Sequence, residues 1–258
     1  MGVHKMDVRE QLLTTVSHLK ENRFDAVFVE NTKAARDKIL EIVPLHSTVG
    51  VANSVTVRQI GVLESFKQRG TVVIDPVSPV YGLAEFQEET FIDLSRGTIG
   101  ADVFISGTNA VTEDGKLVNI DGTGNRVAGI IWMLRKSIVV VGRNKIVKNV
   151  DEAMDRIKNM ITPTFAKRRQ LELPCAKAGR CVDCNVPQRA CNITVIIEKK
   201  PPLTDLTVIM VDEDLVLGWD EDWPKEHIDK IREKYEKFDW PYSSAFENFK
   251  AKSRKGAK

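Results

Sequence analysis

The sequence predicts an α/β fold built on a mainly parallel sheet with helices on both faces, and two features carry that expectation. Short runs rich in Val and Ile recur between amphipathic stretches of helical period. These runs are apolar throughout instead of alternating with polar residues, which is the pattern of strands buried on both sides. With 258 residues, 42% of them hydrophobic and 29% charged, the chain is long enough for one large core, or one domain plus an appendage.

Val8, Leu12, Leu13, Val16 and Leu19 share one face of a first helix, and residues 25–30 read as a short buried strand. Helix and strand then alternate. Helices over 32–43, 54–68 and about 85–96 precede strands over 48–51, 71–75 and 101–106. Residues 108–121 depart from this rhythm: Val111, Leu117, Val118 and Ile120 flank Glu113-Asp114-Gly115, a tight-turn signal that predicts an inserted β-hairpin. A helix over 124–135, a strand over 137–142 and a helix over 150–160 follow. Beyond Pro163 the alternation stops. A cysteine-rich segment leads to strands over 194–198 and 207–211, then to a charged helix over 225–237 with Trp219, Trp223 and Trp240 as packing anchors. The expected organisation is a core over 1–165, a cysteine-rich segment with closing strands of the same domain over 166–215, and a C-terminal helix and basic tail over 216–258.

A net charge of +2, from 38 basic and 36 acidic side chains, gives no overall field towards nucleic acid or an anionic membrane. No apolar run approaches the roughly 18–20 residues of a membrane span, and the polar N-terminus lacks the apolar stretch of a secretory signal. The expected setting is cytoplasmic.

In parallel sheets, ligands settle at the carboxyl ends of strands, where loops and helix N-termini expose backbone N–H groups. Gly50, Asn53 and Ser54 form one such loop, where glycine admits close approach and Asn or Ser caps a helix or binds an anion. Gly107 and Asn109 begin a second, with Glu113 as a general base or a hairpin turn residue. A third gathers Asp121, Gly122, Gly124, Asn125 and Arg126 ahead of a helix; Arg126 suits a carboxylate or phosphate, or pairs with Asp121. Asn144 and Lys145 end the next strand and add positive charge. Several such loops together predict a small anionic ligand, with Glu113 or Asp121 moving a proton. Val127 stands where a Gly-x-G-x-x-Gly fingerprint needs glycine, which argues against an independent nicotinamide dehydrogenase.

All four cysteines, Cys175, Cys181, Cys184 and Cys191, fall within 17 residues. Four clustered thiols predict a bound inorganic centre, because zinc and iron–sulfur groups draw thiolates to one place. The lone Cys-x2-Cys pair with longer arms leans towards an iron–sulfur cluster, 4Fe-4S, with zinc as the alternative.

The stretches around Asn109 and Glu113, around Asn119, Asp121, Asn125 and Arg126, and around Gly142, Asn144 and Lys145 together resemble the LUD family, the lactate-utilisation domain proteins. The segment Gly179-Arg-Cys181-Val-Asp-Cys184, followed by Cys191-Asn192, is similar to a stand-alone subset of that family. The resemblance implies a three-layer α/β sandwich related to the ribose-5-phosphate isomerase and CoA-transferase superfamily. It also implies a setting in L-lactate oxidation beside iron–sulfur partner subunits, with an oxidoreductase component as the expected role and an oligomer left open. Two other readings stay open: an isomerase- or acyl-CoA-transferase-like enzyme using a carboxylate base, and a non-catalytic subunit with structural zinc.

Overall fold

The computed structural model describes residues 7–76, 88–132, 135–169 and 171–215, with Glu226, Asp229 and Lys230. Apart from those last three residues, the helix expected over 225–237 lies outside the described residues, as do Trp219, Trp223 and Trp240.

The chain opens with α1 (Val8–Glu21), β1 (Asp25–Val29), α2 (Thr32–Ile42) and β2 (Thr48–Val51), much as the periodicity predicts. The helix expected over 54–68 is instead two, α3 (Val55–Gln59) and α4 (Val62–Gln68). Gly61 divides them at φ +69°, a left-handed conformation that side chains beyond glycine adopt at a cost. β3 (Val72–Ile74), α5 (Glu88–Gly100) and β4 (Val103–Gly107) follow, then the hairpin strands β5 (Ala110–Thr112) and β6 (Leu117–Asp121). α6 (Asn125–Ile131) is shorter than the 124–135 stretch expected. After β7 (Lys136–Gly142) come a 3-10 turn, Arg143–Lys145, and the short β8 (Ile146–Val147). α7 (Val150–Asp155) runs through a π-helical turn, Arg156–Ile161, into α8 (Thr162–Arg168). Pro163 does not stop the helix: it follows the π-helical turn, with helical backbone on both sides. α9 (Pro174–Ala178), β9 (Ile193–Ile197) and β10 (Leu206–Val211) complete the described order.

Six strands form the central sheet in the order β1-β10-β7-β4-β2-β3, every neighbouring pair parallel. The hairpin belongs to a second sheet, β8-β5-β6-β9, in which β5 runs parallel to β8 and β6 is antiparallel to both β5 and β9. Alternate residues of the central strands divide between two cores, as the two-residue period of a strand requires. Ile138 and Val140 of β7 join Ile39, Val57 and Phe66 from α2, α3 and α4. Val139 and Val141 face the other way, onto Leu12 and Leu19 of α1, Ile130 of α6 and Val111 of the hairpin. The result is a three-layer α/β sandwich. A third cluster seats Ala153 and Ile157 against Ala110, Val118 and Val147 of the second sheet.

Two glycines set how closely helices approach the central sheet. A Cβ on Gly129 of α6 would stand 2.4 Å from the Phe104 ring, and one on Gly50 of β2 would stand 2.2 Å from the backbone carbonyl of Thr98 in α5. A main-chain atom cannot swing aside as a side chain can. Gly50→Ala should therefore lose about 1–3 kcal/mol of stability by overpacking, read as a lower urea midpoint. An unchanged midpoint would show that α5 withdraws freely.

Candidate functional site

The carboxyl ends of β2, β4 and β7 meet around Lys145. The 3-10 turn after β7 buries this residue, and its Nζ donates to Thr56 Oγ1 at 2.9 Å and to the Thr108 carbonyl at 3.0 Å. Burial, then the positive charges of Arg156 and Arg126, lowers its pKa to about 7. Among the described residues, the charged groups acting on Lys145 are thus both cations, whereas a buried structural lysine ordinarily sits against a carboxylate.

Arg126 enters from the first turn of α6 with 15% of its side chain exposed. It donates to Asn109 Oδ1 at 2.9 Å and to the Ile120 carbonyl at 2.6 Å, and its Nε lies 3.6 Å from Asp121 Oδ2. Burial lowers its pKa, against the pull of Asp121. Asp121 also accepts from the backbone N–H groups of Gly122 and Val127 and so secures the start of α6, where Gly124 is left-handed. Asn109 Oδ1 additionally accepts from the Ile120 N–H, which fixes it between hairpin and arginine. Buried Arg156 arrives from the π-helical turn, its pKa lowered to about 10 by burial despite Glu152.

The structure brings Lys145, Arg126, Asn109, Gly107 and Ser54 into one neighbourhood and sends other candidates elsewhere. Ser54 caps α3 by accepting from the Val57 N–H at 3.3 Å. Asn53 Oδ1 accepts from Arg58 and Arg169. Asn144 clamps the chain beyond β10 through paired bonds with Leu215, at 3.1 and 2.9 Å. Asn125 accepts from Thr123 at 2.7 Å. Gly122 lets the Ala190 backbone pass, and Gly50 serves the contact with α5. Glu113 ties the hairpin to α1, its carboxylate accepting from Gln11 Nε2 at 2.7 Å and its carbonyl lying 2.6 Å from His18 Nδ1. Arg156, Thr56 and Thr108 are the members that sequence reasoning did not single out. Arg156 had a legible signal: it lies beside Ile157, and three residues after Ala153, on the apolar stripe of its helix.

The four cysteines lie beside this neighbourhood. α9 carries Cys175 and ends at left-handed Gly179, whose N–H bonds the Cys175 carbonyl at 2.9 Å. The loop then returns through Cys181, Cys184 and Cys191, held by Arg189, which donates to the carbonyls of Cys184 and Cys191 and pairs with Asp183. All four thiols are free of disulfides and line one small cavity with Lys158, Thr162, Val182 and Asp183. Burial raises the pKa of Cys175, and the charges of Cys184, Cys191 and Cys181 raise it further. Burial also raises Cys191, which Arg189 partly offsets.

Among the described residues, no three His, Cys, Asp or Glu side chains stand ready to hold a metal ion. The thiols share a cavity without closing into the ligand sphere of a single ion, where zinc needs four sulfurs about 2.3 Å from one point. Their chemistry still suits a thiolate-bound group. Asp183 donates its N–H to Cys181 Sγ at 3.4 Å, and Arg189 opposes the charge of Cys191, while Lys158 lines the cavity.

Two links join the cavity to the Lys145 neighbourhood. Asn192, beside Cys191, donates from its backbone to the Asp121 carbonyl at 3.0 Å and from its side chain to the Gly122 carbonyl at 3.1 Å. The π-helical turn supplies Arg156 to one side, while its Lys158 lines the cysteine cavity and its Asn159 accepts from the Cys181 N–H at 3.0 Å. π-Helical turns recur where a helix serves two demands at once.

The family model of the LUD domain matches residues 12–211. Among solved structures, a DUF162 family protein from Deinococcus radiodurans is similar at 15% identity and a TM-score of 0.46, covering 80% of this chain and 99% of that one. No curated protein matches the chain.

The buried amine has a measurable signature. Lys145 is charged in both folded and unfolded protein below about pH 7, so its full burial cost falls there, and the cost fades as pH rises towards the ordinary value of 10.5. Lys145→Met should therefore be most favourable to stability near pH 6 and lose that advantage steadily towards about pH 9–10. Melting temperatures across that range check it, and a difference that does not change with pH would show that the amine is not discharged by the fold.

Proposed function

The chain belongs to the LUD domain family, and on that premise we propose that it binds a small hydroxy- or oxo-carboxylate at the ends of β2, β4 and β7, as a component of L-lactate or related hydroxy-acid oxidation. The observation that carries the reading is the gathering of buried cationic side chains there: Arg126 and Arg156 both act on Lys145, with Asp121 beside Arg126 and Glu152 acting on Arg156. In this reading an anion adds to the groups that offset these buried cations, which favours negatively charged ligands. Arg126 holds the carboxylate, with Asn109 fixing the guanidinium plane. Asp121 orients Arg126 and is the acid–base group of this reading.

In this reading Cys175, Cys181, Cys184 and Cys191 hold an iron–sulfur cluster, 4Fe-4S in type. When bound, the cluster supplies one-electron transfer to a partner subunit. The chain's own contribution is to keep that centre next to the substrate turn, through Asn192 and Asp121.

Arg126→Ala should weaken binding of L-lactate or pyruvate about 10- to 100-fold, the worth of a charge-assisted hydrogen bond, measured by titration calorimetry. Unchanged affinity would remove Arg126 from the site. Protein purified without oxygen should be brown, with iron and sulfide in equal amounts and a broad band near roughly 400 nm. Cys181→Ser and Cys184→Ser should bleach it. A colourless protein carrying one zinc would replace the cluster with a structural ion.

A further inference from the structure

We propose that the surface over the cysteine cavity is the docking face for a small acidic electron-transfer protein, which meets the chain through Lys158, Lys177 and Arg180 around the exposed Val182. The proposal rests on the iron–sulfur reading of the same thiols and deepens it by giving the electron partner its chemistry.

Charge is the first observation. Residues 156–192 hold eight basic and two acidic side chains, a net +6, against +2 for the whole chain. Arg156 and Arg169 are buried, and Arg189 is taken by Asp183 at 3.0 Å. Lys158, Lys167, Lys177 and Arg180 remain, and among the described residues no carboxylate pairs with them. The acids nearby are Asp155, which accepts from Asn159 at 2.7 Å, with Glu172 and Asp183. Offsetting the thiolates accounts for Arg189 and for Lys158, which lines the cavity. It does not account for Lys177 and Arg180, which are exposed and do not line it.

Access is the second. Cys175 is buried, whereas Cys181 and Cys184 are half-buried, and Val182 between them lines the cavity while 46% exposed. The thiols are therefore tied to the Asp121 turn through Asn192 and reach solvent at Val182. An apolar point among cations suits a transient redox encounter, in which charge steers the approach and a small dry contact brings the two centres close. Extent is the third. The exposed stretch from Lys177 to Arg180 fits between Cys175 and Cys181, a compact face in keeping with redox encounters that bury less than about 1,200 Å². It lacks the aromatic stacking platform used to hold single-stranded nucleic acid, and Val182 is too small to anchor on a membrane.

Once docked, one electron crosses. The centre held by the thiols is oxidised, the partner's acceptor is reduced, and no bond is made or broken.

Full-length protein purified without oxygen, mixed with a plant-type ferredoxin as the acidic probe and with a water-soluble carbodiimide, reports the face directly, because the reagent joins carboxylates to amines in contact. Cross-links should map by mass spectrometry to Lys177 and Lys158, and affinity by calorimetry should fall about 10-fold or more between roughly 0.05 and 0.5 M salt. Lys177→Glu/Arg180→Glu should weaken binding about 10- to 100-fold and slow ferredoxin reduction by the pre-reduced protein, with colour and iron content unchanged. The same charge change on α1 and α4, Lys20→Glu/Lys67→Glu, should alter neither. Cross-links scattered over the chain, or equal weakening by both pairs, would overturn the docking face. Brown protein that does not bind the ferredoxin would overturn it too and spare the cluster, whereas colourless protein carrying zinc would remove the cluster and the redox partner with it.

Discussion

The last described strand, β10, lies in the middle of the central sheet, hydrogen-bonded to β1 on one side and β7 on the other. All six of its residues are buried, and they contribute alternately to both large cores. The sheet is therefore incomplete until the chain has been followed almost to residue 211, and among the described strands β1 is joined to the rest through β10. The arrangement also fixes the 3-10 turn after β7: Asn144 bonds Leu215 just past β10, and Arg143 bridges to Asp212 and Asp214. The turn that buries Lys145 is thus held by the closing strand, and integrity of the sheet and position of the amine are one requirement.

The segment between β8 and β10 does two jobs in the space of about sixty residues. It covers the second sheet with α7 and the π-helical turn, and it builds the cysteine cavity against the Asp121 turn. β9 begins at Ile193, two residues after Cys191, and pairs there with Asp121. The thiol loop is consequently registered to the arginine-bearing turn by a β-ladder, not merely draped near it. Any group that draws the sulfurs together pulls on a strand whose first partner is the carboxylate that orients Arg126.

Much of the architecture was legible because burial leaves a periodic trace. Continuous apolar runs marked the parallel strands, and Glu113-Asp114-Gly115 marked the hairpin, since each pattern has a local cause. What lacked a local cause was not legible. The order of strands in the sheet depends on non-local pairings, the farthest joining Asp25 of β1 to Thr207 of β10, and the two-residue β8 is too short to show a period. The break at Gly61 left a glycine in plain view, yet only the left-handed angle shows that it ends one helix and begins another. At the site, the loops around Asn109, Arg126 and Lys145 were found from composition, because small polar residues at strand ends have few other reasons to gather. Thr56 and Thr108 escaped, since a threonine that faces an amine looks like any other threonine in a sequence. Glu113 drew notice as an acid in a polar loop, and its bond to Gln11 across 102 residues could be seen only in three dimensions.

The π-helical turn over Arg156–Ile161 has a geometric corollary. One surplus residue within a helix rotates everything after it by about 100° relative to everything before. Arg156 and Thr162 are thereby phased to different compartments, one cationic and one lined with sulfur. Deleting a single residue here would restore ordinary helical pitch and put the two ends out of step, so that the scaffold could keep its guanidinium or its thiol wall correctly aimed, but not both.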